Sequence, residues 1–320
     1  MRKRIGKRVG KRSLWSAGLL AGALLLGACG DPGSGDAAPA DLPEASGSAA
    51  PSDPSAAPSA TPRERAARNA PDKPARAPKV LYLGDSLAME NQVVLGQQLK
   101  DRLGARYRSA PYSGTTLCDY LDGTGEDSLV PDKDKAAALV RAQRPDYVVL
   151  QFWGNAWGYT PCMKGITYDK RRAEYFDRYA ADARRLAAQI RGAGGGQTRV
   201  VWVLQGPDPI TPDRVRRVNA IYQAQARASG GLVADAGRTV APGADRYTWV
   251  EKLPCTAYER AHEAYCTEPG AGRTALHRDK DYLHFCLAPT TAKSRPCPVR
   301  SPGIRRMAEA VTSRVASDLR

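Results

Sequence analysis

The chain has 320 residues, of which 42% are apolar, and this is enough for one large domain or two small ones. Of its formal net charge of +15, seven charges lie within residues 1–28, so that +8 remains without them. No basic motif with interleaved aromatic residues occurs, which argues against a nucleic-acid-binding protein. The remaining positive charge indicates either affinity for an anionic envelope surface or, as we prefer, charges scattered over solvated faces.

The N-terminus has the pattern of an export signal. Residues 1–12 are strongly basic, and residues 14–28 are small and apolar, in a run too short to span a membrane comfortably. The sequence Leu26-Gly27-Ala28-Cys29 resembles the bacterial lipobox. We therefore predict a lipoprotein signal peptide over residues 1–28, export by the general secretory route, and lipidation of Cys29. A plain signal peptide with an incidental cysteine is the alternative.

Residues 29–78 are predicted to form a tether. After the lipidated Cys29, residues 30–78 are rich in Ala, Pro and Ser and contain almost no large apolar residue. Such a segment buries too little surface to offset the entropy of ordering it, so we expect it to be disordered. The lipid anchor would hold the protein at the outer face of the cell membrane.

The globular domain is predicted over residues 79–320, where short apolar runs alternate with longer helical patterns. In chain order, the strands are predicted at 79–83, 105–109, 146–152, 199–205 and 232–234, and the helices at 87–103, 133–143, 170–191, 211–228 and 302–319. This alternation indicates a three-layer α/β/α sandwich around a central, mostly parallel sheet. Sites in such sheets form outside the carboxyl ends of the strands, and Ser86 follows the first strand.

Six cysteines remain once Cys29 is set aside, an even number in a protein expected in an oxidising compartment. Three disulfides are predicted; short intervals favour two of them, and the third pair is what is left: Cys255–Cys266, Cys286–Cys297 and Cys118–Cys162. The first two would pin residues 238–298, a long segment with few apolar runs. No Cys-x-x-Cys pair occurs and there are only three histidines, so we predict no metal site.

The stretch VLYLGDSLAMEN (80–91) places Ser86 between a buried strand and a helix, either as a nucleophile or as an ordinary helix cap. A nucleophilic serine needs a base, and histidine suits neutral pH. His262 lies in a polar, helical-looking piece that we expect at the surface, and His277 has basic neighbours. His284 follows Asp281 by three residues, so that this carboxylate can orient its ring.

Four sequence blocks occur in an order that resembles the SGNH (GDSL) hydrolase family, in particular its secreted actinobacterial lipoprotein members. They are Gly84-Asp85-Ser86-Leu87, Gly114 in PYSGTTLCDY, Asn155 in QFWGNAWGY, and the pair Asp281 and His284. The resemblance covers about residues 79–320 and implies a flavodoxin-like α/β/α fold. It also implies a serine hydrolase that acts on esters and needs no cofactor and no metal.

The resemblance implies a role for each of these residues. Ser86 would attack the acyl carbon, His284 would serve as general base and then general acid, and Asp281 would orient His284. The oxyanion would be held by the backbone N–H groups of Ser86 and Gly114 and by the side-chain amide of Asn155. A Cys118–Cys162 bond would tie together the two loops that carry these donors.

The third block departs from the family pattern, which usually reads G-x-N-D. Here Trp153 stands for the glycine and Ala156 for the aspartate, while Gly154 could take over the unusual backbone conformation. Trp153 and Trp157 either form a wall for a sugar ring or an acyl group, or pack the loop against the domain.

We expect an esterase that removes short acyl groups, such as acetyl, from carbohydrate or cell-envelope substrates. The alternatives are an O-acyltransferase or a lipid or lysophospholipid esterase with the same triad, and a catalytically silent, substrate-binding lipoprotein on the same scaffold.

Overall fold

The structure of the chain is a computed structural model that describes residues 74, 76–278, 281–289, 291 and 294–320. The predicted signal peptide over residues 1–28 and the lipidation of Cys29 lie outside these residues and stay predictions. So does the predicted tether, apart from its last few residues. None of the helices among the described residues has both the length and the apolar character needed to cross a membrane.

Five parallel strands form the central sheet, and they follow the sequence prediction closely. Their order is β2-β1-β3-β4-β5. The strands are β1 (Lys79–Gly84), β2 (Arg106–Ser109), β3 (Tyr147–Gln151), β4 (Arg199–Val203) and β5 (Leu232–Ala234). The central strands are buried along almost their whole length and mostly apolar, because helices cover both faces. The chain order reverses between β1 and β3, and this switch point is where such sheets place their sites.

Helices cover both faces of the sheet. They are α1 (Ser86–Leu103), α2 (Ala136–Gln143), α3 (Arg172–Ala193), α4 (Pro212–Ser229), the short α5 (Ala257–Ala261) and α6 (Pro302–Asp318). Helices α1 and α6 pack together on one face, over Tyr82, Val149 and Val201. Helices α2, α3 and α4 cover the other face, over Leu83, Leu150 and Trp202. The predicted three-layer fold class is confirmed by this arrangement.

The long segment 238–298 is more ordered than its composition indicates. It contains α5 and an antiparallel pair, β6 (Lys252–Pro254) and β7 (Arg273–Ala275), which the sequence analysis did not predict. Each strand has only three residues, too few for an alternating pattern to be recognised. The predicted disulfides Cys255–Cys266 and Cys286–Cys297 are both present and cross-link this segment, and Cys118–Cys162 is present as well.

Candidate active site

Ser86 is the first residue of α1 and directly follows the turn after β1. The carboxylate of Asp85 caps the helix by accepting a hydrogen bond of 3.0 Å from the N–H of Leu87. The alternative in which Ser86 itself is the cap is therefore wrong. Its hydroxyl is left to face a cavity at the carboxyl end of the sheet.

The structure brings Ser86, His284 and Asp281 together. His284 Nε2 lies 3.0 Å from Ser86 Oγ, and His284 Nδ1 lies 3.0 and 3.1 Å from the two carboxylate oxygens of Asp281. Nδ1–H therefore donates to the carboxylate, and Nε2 is the nitrogen that can accept the serine proton. The same carboxylate also accepts the backbone N–H of His284, which fixes both ends of the Asp281–His284 turn.

The charges around His284 favour its protonated form. Burial alone would lower the pKa of His284, but the hydrogen bond to Asp281 and the negative charge of Glu90 raise it above its usual value. For Asp281, burial alone would raise the pKa. The hydrogen bonds from His284 and Arg278 instead hold the pKa of Asp281 well below its usual range. Asp281 is thus ionised at neutral pH and can stabilise an imidazolium formed during the reaction.

Asp85 connects the nucleophile to the loop after β3. Its buried carboxylate accepts the backbone N–H of Trp153 at 2.6 Å and the side-chain amide of Asn155 at 3.2 Å, besides that of Leu87. Burial raises the pKa of Asp85 to about 6 against the lowering effect of these N–H donors. The sequence analysis gave Asp85 no role, although its place directly before Ser86 made a capping function recognisable.

The loop of Trp153, Gly154 and Asn155 is held through its backbone by side chains of the neighbouring helices. Tyr175 donates to the Gly154 carbonyl at 2.7 Å, and the buried Arg214 donates to that of Trp153. Gly154 has φ +95°, and a Cβ there would lie 2.8 Å from the Tyr175 hydroxyl oxygen, so that only glycine fits. Gly154 thus adopts the unusual backbone conformation that the sequence analysis assigned to it where the loop departs from the G-x-N-D pattern.

Three groups near Ser86 are candidates for binding an oxyanion. The N–H groups of Ser86 and Gly114 have no acceptor among the residues that the structure describes, and both residues line the cavity. The amide nitrogen of Asn155 is more constrained, since it already lies 3.2 Å from Asp85 and 3.0 Å from the Thr115 carbonyl. Donation from Asn155 to an oxyanion therefore requires the bond to Thr115 to be shared or exchanged.

The disulfide Cys118–Cys162 joins the two loops that carry Gly114 and Asn155. Cys118 lies in a short 3-10 helix, Leu117–Tyr120, and Cys162 lies in another, Pro161–Met163. Both sulfurs are buried, and they cross-link the loops a few residues from the candidate oxyanion donors.

His277 helps to fix the backbone of His284 through a hydrogen bond, a role that the sequence analysis did not assign. The ring of His277 is 5% exposed, and its Nδ1–H donates to the His284 carbonyl at 2.9 Å. Burial lowers its pKa, so His277 stays neutral where His284 is tuned toward protonation. His262 is exposed, as predicted, and its Nδ1 donates to the Tyr258 carbonyl rather than facing the cavity.

A cavity of about 310 Å³ lies in front of Ser86. Its walls include Trp153 and Trp157, whose rings stack on each other with centroids 5.8 Å apart and planes 12° apart. The Trp153 ring also packs on the guanidinium of Arg214, whose carbon lies 3.3 Å from the ring centroid. Trp153 therefore packs the loop against the domain, whereas Trp157 is 40% exposed at the cavity.

No group of three or more potential metal ligands occurs within the described parts of the chain. The six cysteines of the domain are all held in disulfides, which removes their thiolates from the possible ligands.

Comparison with known proteins yields structural likeness only. No family model matches the chain, and no curated protein matches it. Structures with a similar fold include a GDSL-like lipase from Parabacteroides merdae, with 13% identity, 77% of this chain and 97% of that one covered, and a TM-score of 0.43. A carbohydrate esterase family 3 protein from Talaromyces cellulolyticus has 13% identity, coverages of 75% and 97%, and a TM-score of 0.45.

A third similar structure is the periplasmic domain of a lipopolysaccharide acetyltransferase from Salmonella ser. Paratyphi A. It has 8% identity, covers 80% of this chain and 90% of its own, and has a TM-score of 0.45. Likeness at this level concerns the fold, so the chemistry of this chain is argued from its own site.

That site contains a serine hydroxyl, an imidazole within proton-transfer distance, a carboxylate that orients the imidazole, and two N–H groups with no acceptor among the described residues. These are the parts that nucleophilic acyl transfer requires.

Proposed function

We propose that the protein is a serine esterase that hydrolyses carboxylic esters through an acyl-enzyme on Ser86. The observation that carries the proposal is the chain of contacts Ser86–His284–Asp281, with 3.0 Å at each of its two joints. Such a distance and order are those of a nucleophile, its base and the group that orients the base.

In the first half of the reaction, Ser86 Oγ attacks the acyl carbon while His284 Nε2 takes the hydroxyl proton. The carbonyl oxygen becomes an oxyanion, which the N–H groups of Ser86 and Gly114 bind, helped by the start of helix α1. His284 then gives its proton to the departing alcohol. In the second half, water attacks the acyl-enzyme by the same route and releases the acid, which restores Ser86.

We further propose a short acyl group, such as acetyl, on a polar alcohol such as a carbohydrate. The cavity of about 310 Å³ is at the small end of the range for small-molecule sites. Its walls mix the exposed aromatic residues Trp157 and Tyr159 with the polar residues Glu90 and Ser294. This combination suits a compact, hydroxyl-rich molecule better than a long hydrocarbon chain.

The test is the hydrolysis of p-nitrophenyl acetate by the wild type, by Ser86→Ala and by the control Ser113→Ala. Ser113 is an exposed serine that lines the same cavity without contacting His284. Ser86→Ala should lower kcat by roughly 10³-fold or more, because residues of a triad act as a unit. Ser113→Ala should stay near the wild-type rate. Equal rates for the wild type and Ser86→Ala would falsify the proposal.

A further inference from the structure

We propose that Trp157 determines which alcohol the site accepts, because its indole both binds the sugar ring and orients Asn155. The exposed face would take the ring of a carbohydrate ester, and the indole N–H would fix the side-chain amide of Asn155. This inference rests on the proposed esterase function and adds a residue that couples recognition of the alcohol to the reacting centre.

The Trp157 ring lies at the surface of the cavity wall. It is 40% exposed in a wall that it shares with Ser86 and Glu90, so a ligand in the cavity can reach it. Its stacking on Trp153 holds the ring flat, and Trp153 in turn lies on the guanidinium of the buried Arg214. The Trp157 ring is thus held in place by packing, so little conformational entropy is lost when a ligand covers it.

The indole N–H of Trp157 contacts the side chain of Asn155. Trp157 Nε1 donates to Asn155 Oδ1 at 3.0 Å. With its oxygen occupied, the amide of Asn155 must turn its nitrogen toward Asp85, Thr115 and any oxyanion nearby. Trp157 is therefore a positioning residue for a candidate oxyanion donor, not a catalytic residue itself.

The chemical class of the ligand follows from what surrounds the ring. An aromatic face carries negative partial charge and attracts the slightly positive C–H groups on one side of a sugar ring. The same cavity offers hydroxyl and carboxylate partners for sugar hydroxyls, from Ser294 and Glu90. A flat apolar face beside several hydrogen-bonding groups fits a pyranose ring, whereas a flexible alkyl alcohol would use only the apolar part.

The experiment compares two acetate esters, an O-acetylated methyl glucoside and ethyl acetate, whose alcohol has no ring. Acetate release is measured for the wild type, Trp157→Phe, Trp157→Ala and the control Val93→Ala. Phenylalanine keeps an aromatic face and removes the N–H, while alanine removes both. Val93 is 57% exposed on α1 and lies outside the residues that line this cavity, so its variant should match the wild type.

Trp157→Phe should lower kcat by about 3- to 10-fold on both esters, the size expected for one lost hydrogen bond. Its KM for the acetylated glucoside should remain within about twofold of the wild-type value. Trp157→Ala should in addition raise KM for the glucoside by about 10-fold, as expected for a lost aromatic contact, and leave KM for ethyl acetate unchanged.

The orienting role is overturned if Trp157→Phe has the wild-type kcat on both esters. The ring-binding role is overturned if Trp157→Ala leaves KM for the glucoside unchanged or raises both KM values equally. Neither result affects the esterase proposal. That proposal fails separately if Ser86→Ala releases acetate at the same rate as the wild type. Thermal unfolding of each variant shows whether a change in rate reflects a loss of folded protein.

Discussion

The two halves of the candidate site are built in different ways. Ser86 and Asn155 follow β1 and β3, two neighbouring strands in the middle of a buried parallel sheet. Asp281 and His284 lie in the segment 238–298, which has two three-residue strands, short helical turns and two disulfides. We call these the nucleophile half and the acid–base segment.

The difference shows two ways of fixing a reacting atom in space. In the nucleophile half, position comes from the sheet, since the residues of β1 and β3 are almost fully buried and paired along their length. In the acid–base segment it comes from local contacts around His284. The Cys286 N–H donates to the Glu90 carboxylate, the Cys297 N–H donates to the Glu90 carbonyl, and His277 bonds to the His284 carbonyl.

Among the tests that compare the two halves, removal of the disulfide nearest His284 should have the largest effect. The variants Cys286→Ser/Cys297→Ser and Cys255→Ser/Cys266→Ser each open a loop of the same sequence separation, 11 residues. Both should lower the free energy of unfolding by about 3 kcal/mol, because the unfolded chain gains similar freedom. Only the first should also lower kcat, by about 10²-fold, since Cys286 follows His284 by two residues and lines the cavity.

Chemical denaturation and ester hydrolysis, both measured where each variant is still folded, provide the two readouts. Equal losses of kcat in the two double variants would show that the acid–base segment behaves as one stabilised unit. The claim that local contacts around His284 fix its position would then be wrong.

A smaller effect is expected from Asp85→Asn, which perturbs the nucleophile half. The buried Asp85 carboxylate accepts hydrogen bonds from N–H groups of Leu87, Trp153 and Asn155. In Asp85→Asn, an NH₂ group replaces one of the two accepting oxygens, so that it faces an N–H donor and a hydrogen bond is lost. The free energy of unfolding should fall by about 1–3 kcal/mol and kcat by about 10-fold. Asp235→Asn is the control, because Asp235 also caps a helical turn but is exposed and bonds to Arg246 rather than to the loop of Asn155. If the two variants behave alike, Asp85 is only a cap.

The smallest effect concerns pH. Neutral His284 is needed to accept the serine proton, and its pKa is raised, so activity should rise with pH through a midpoint above the usual range of histidine. Glu90→Gln removes a negative charge that favours the imidazolium, so the midpoint should move to lower pH by a fraction of a unit, while the Cys286 N–H keeps an acceptor. Glu309→Gln, an exposed change on α6, should leave the pH profile of kcat/KM in place. A midpoint that rises or stays fixed in Glu90→Gln contradicts this account.

Most of the nucleophile half was predictable because its signals are local. Buried strands appear as apolar runs, and the Gly-Asp-Ser turn after the first of them marks the start of a helix. The pairing of Cys118 with Cys162 followed once the two short cysteine intervals had been assigned, and the structure confirms it.

The acid–base segment shows where sequence reasoning ended. Asp281 and His284 were identifiable from their spacing, but the hairpin of β6 and β7 has strands too short to produce a pattern. The support from His277 and Glu90 was not visible, because these residues meet His284 only after the chain has folded. The bond from Trp157 to Asn155 depends on a side-chain orientation, which residue type and spacing do not determine.

The placement of the three disulfides has a consequence for how the cleft can open. Cys118–Cys162 lies within the nucleophile half, and the other two lie within the acid–base segment, so that none of them joins the two. The contact between Ser86 and His284 is therefore maintained by non-covalent interactions, without a disulfide between the two parts. Separation of the two parts would therefore strain none of the three disulfides, and each part would keep its own cross-links.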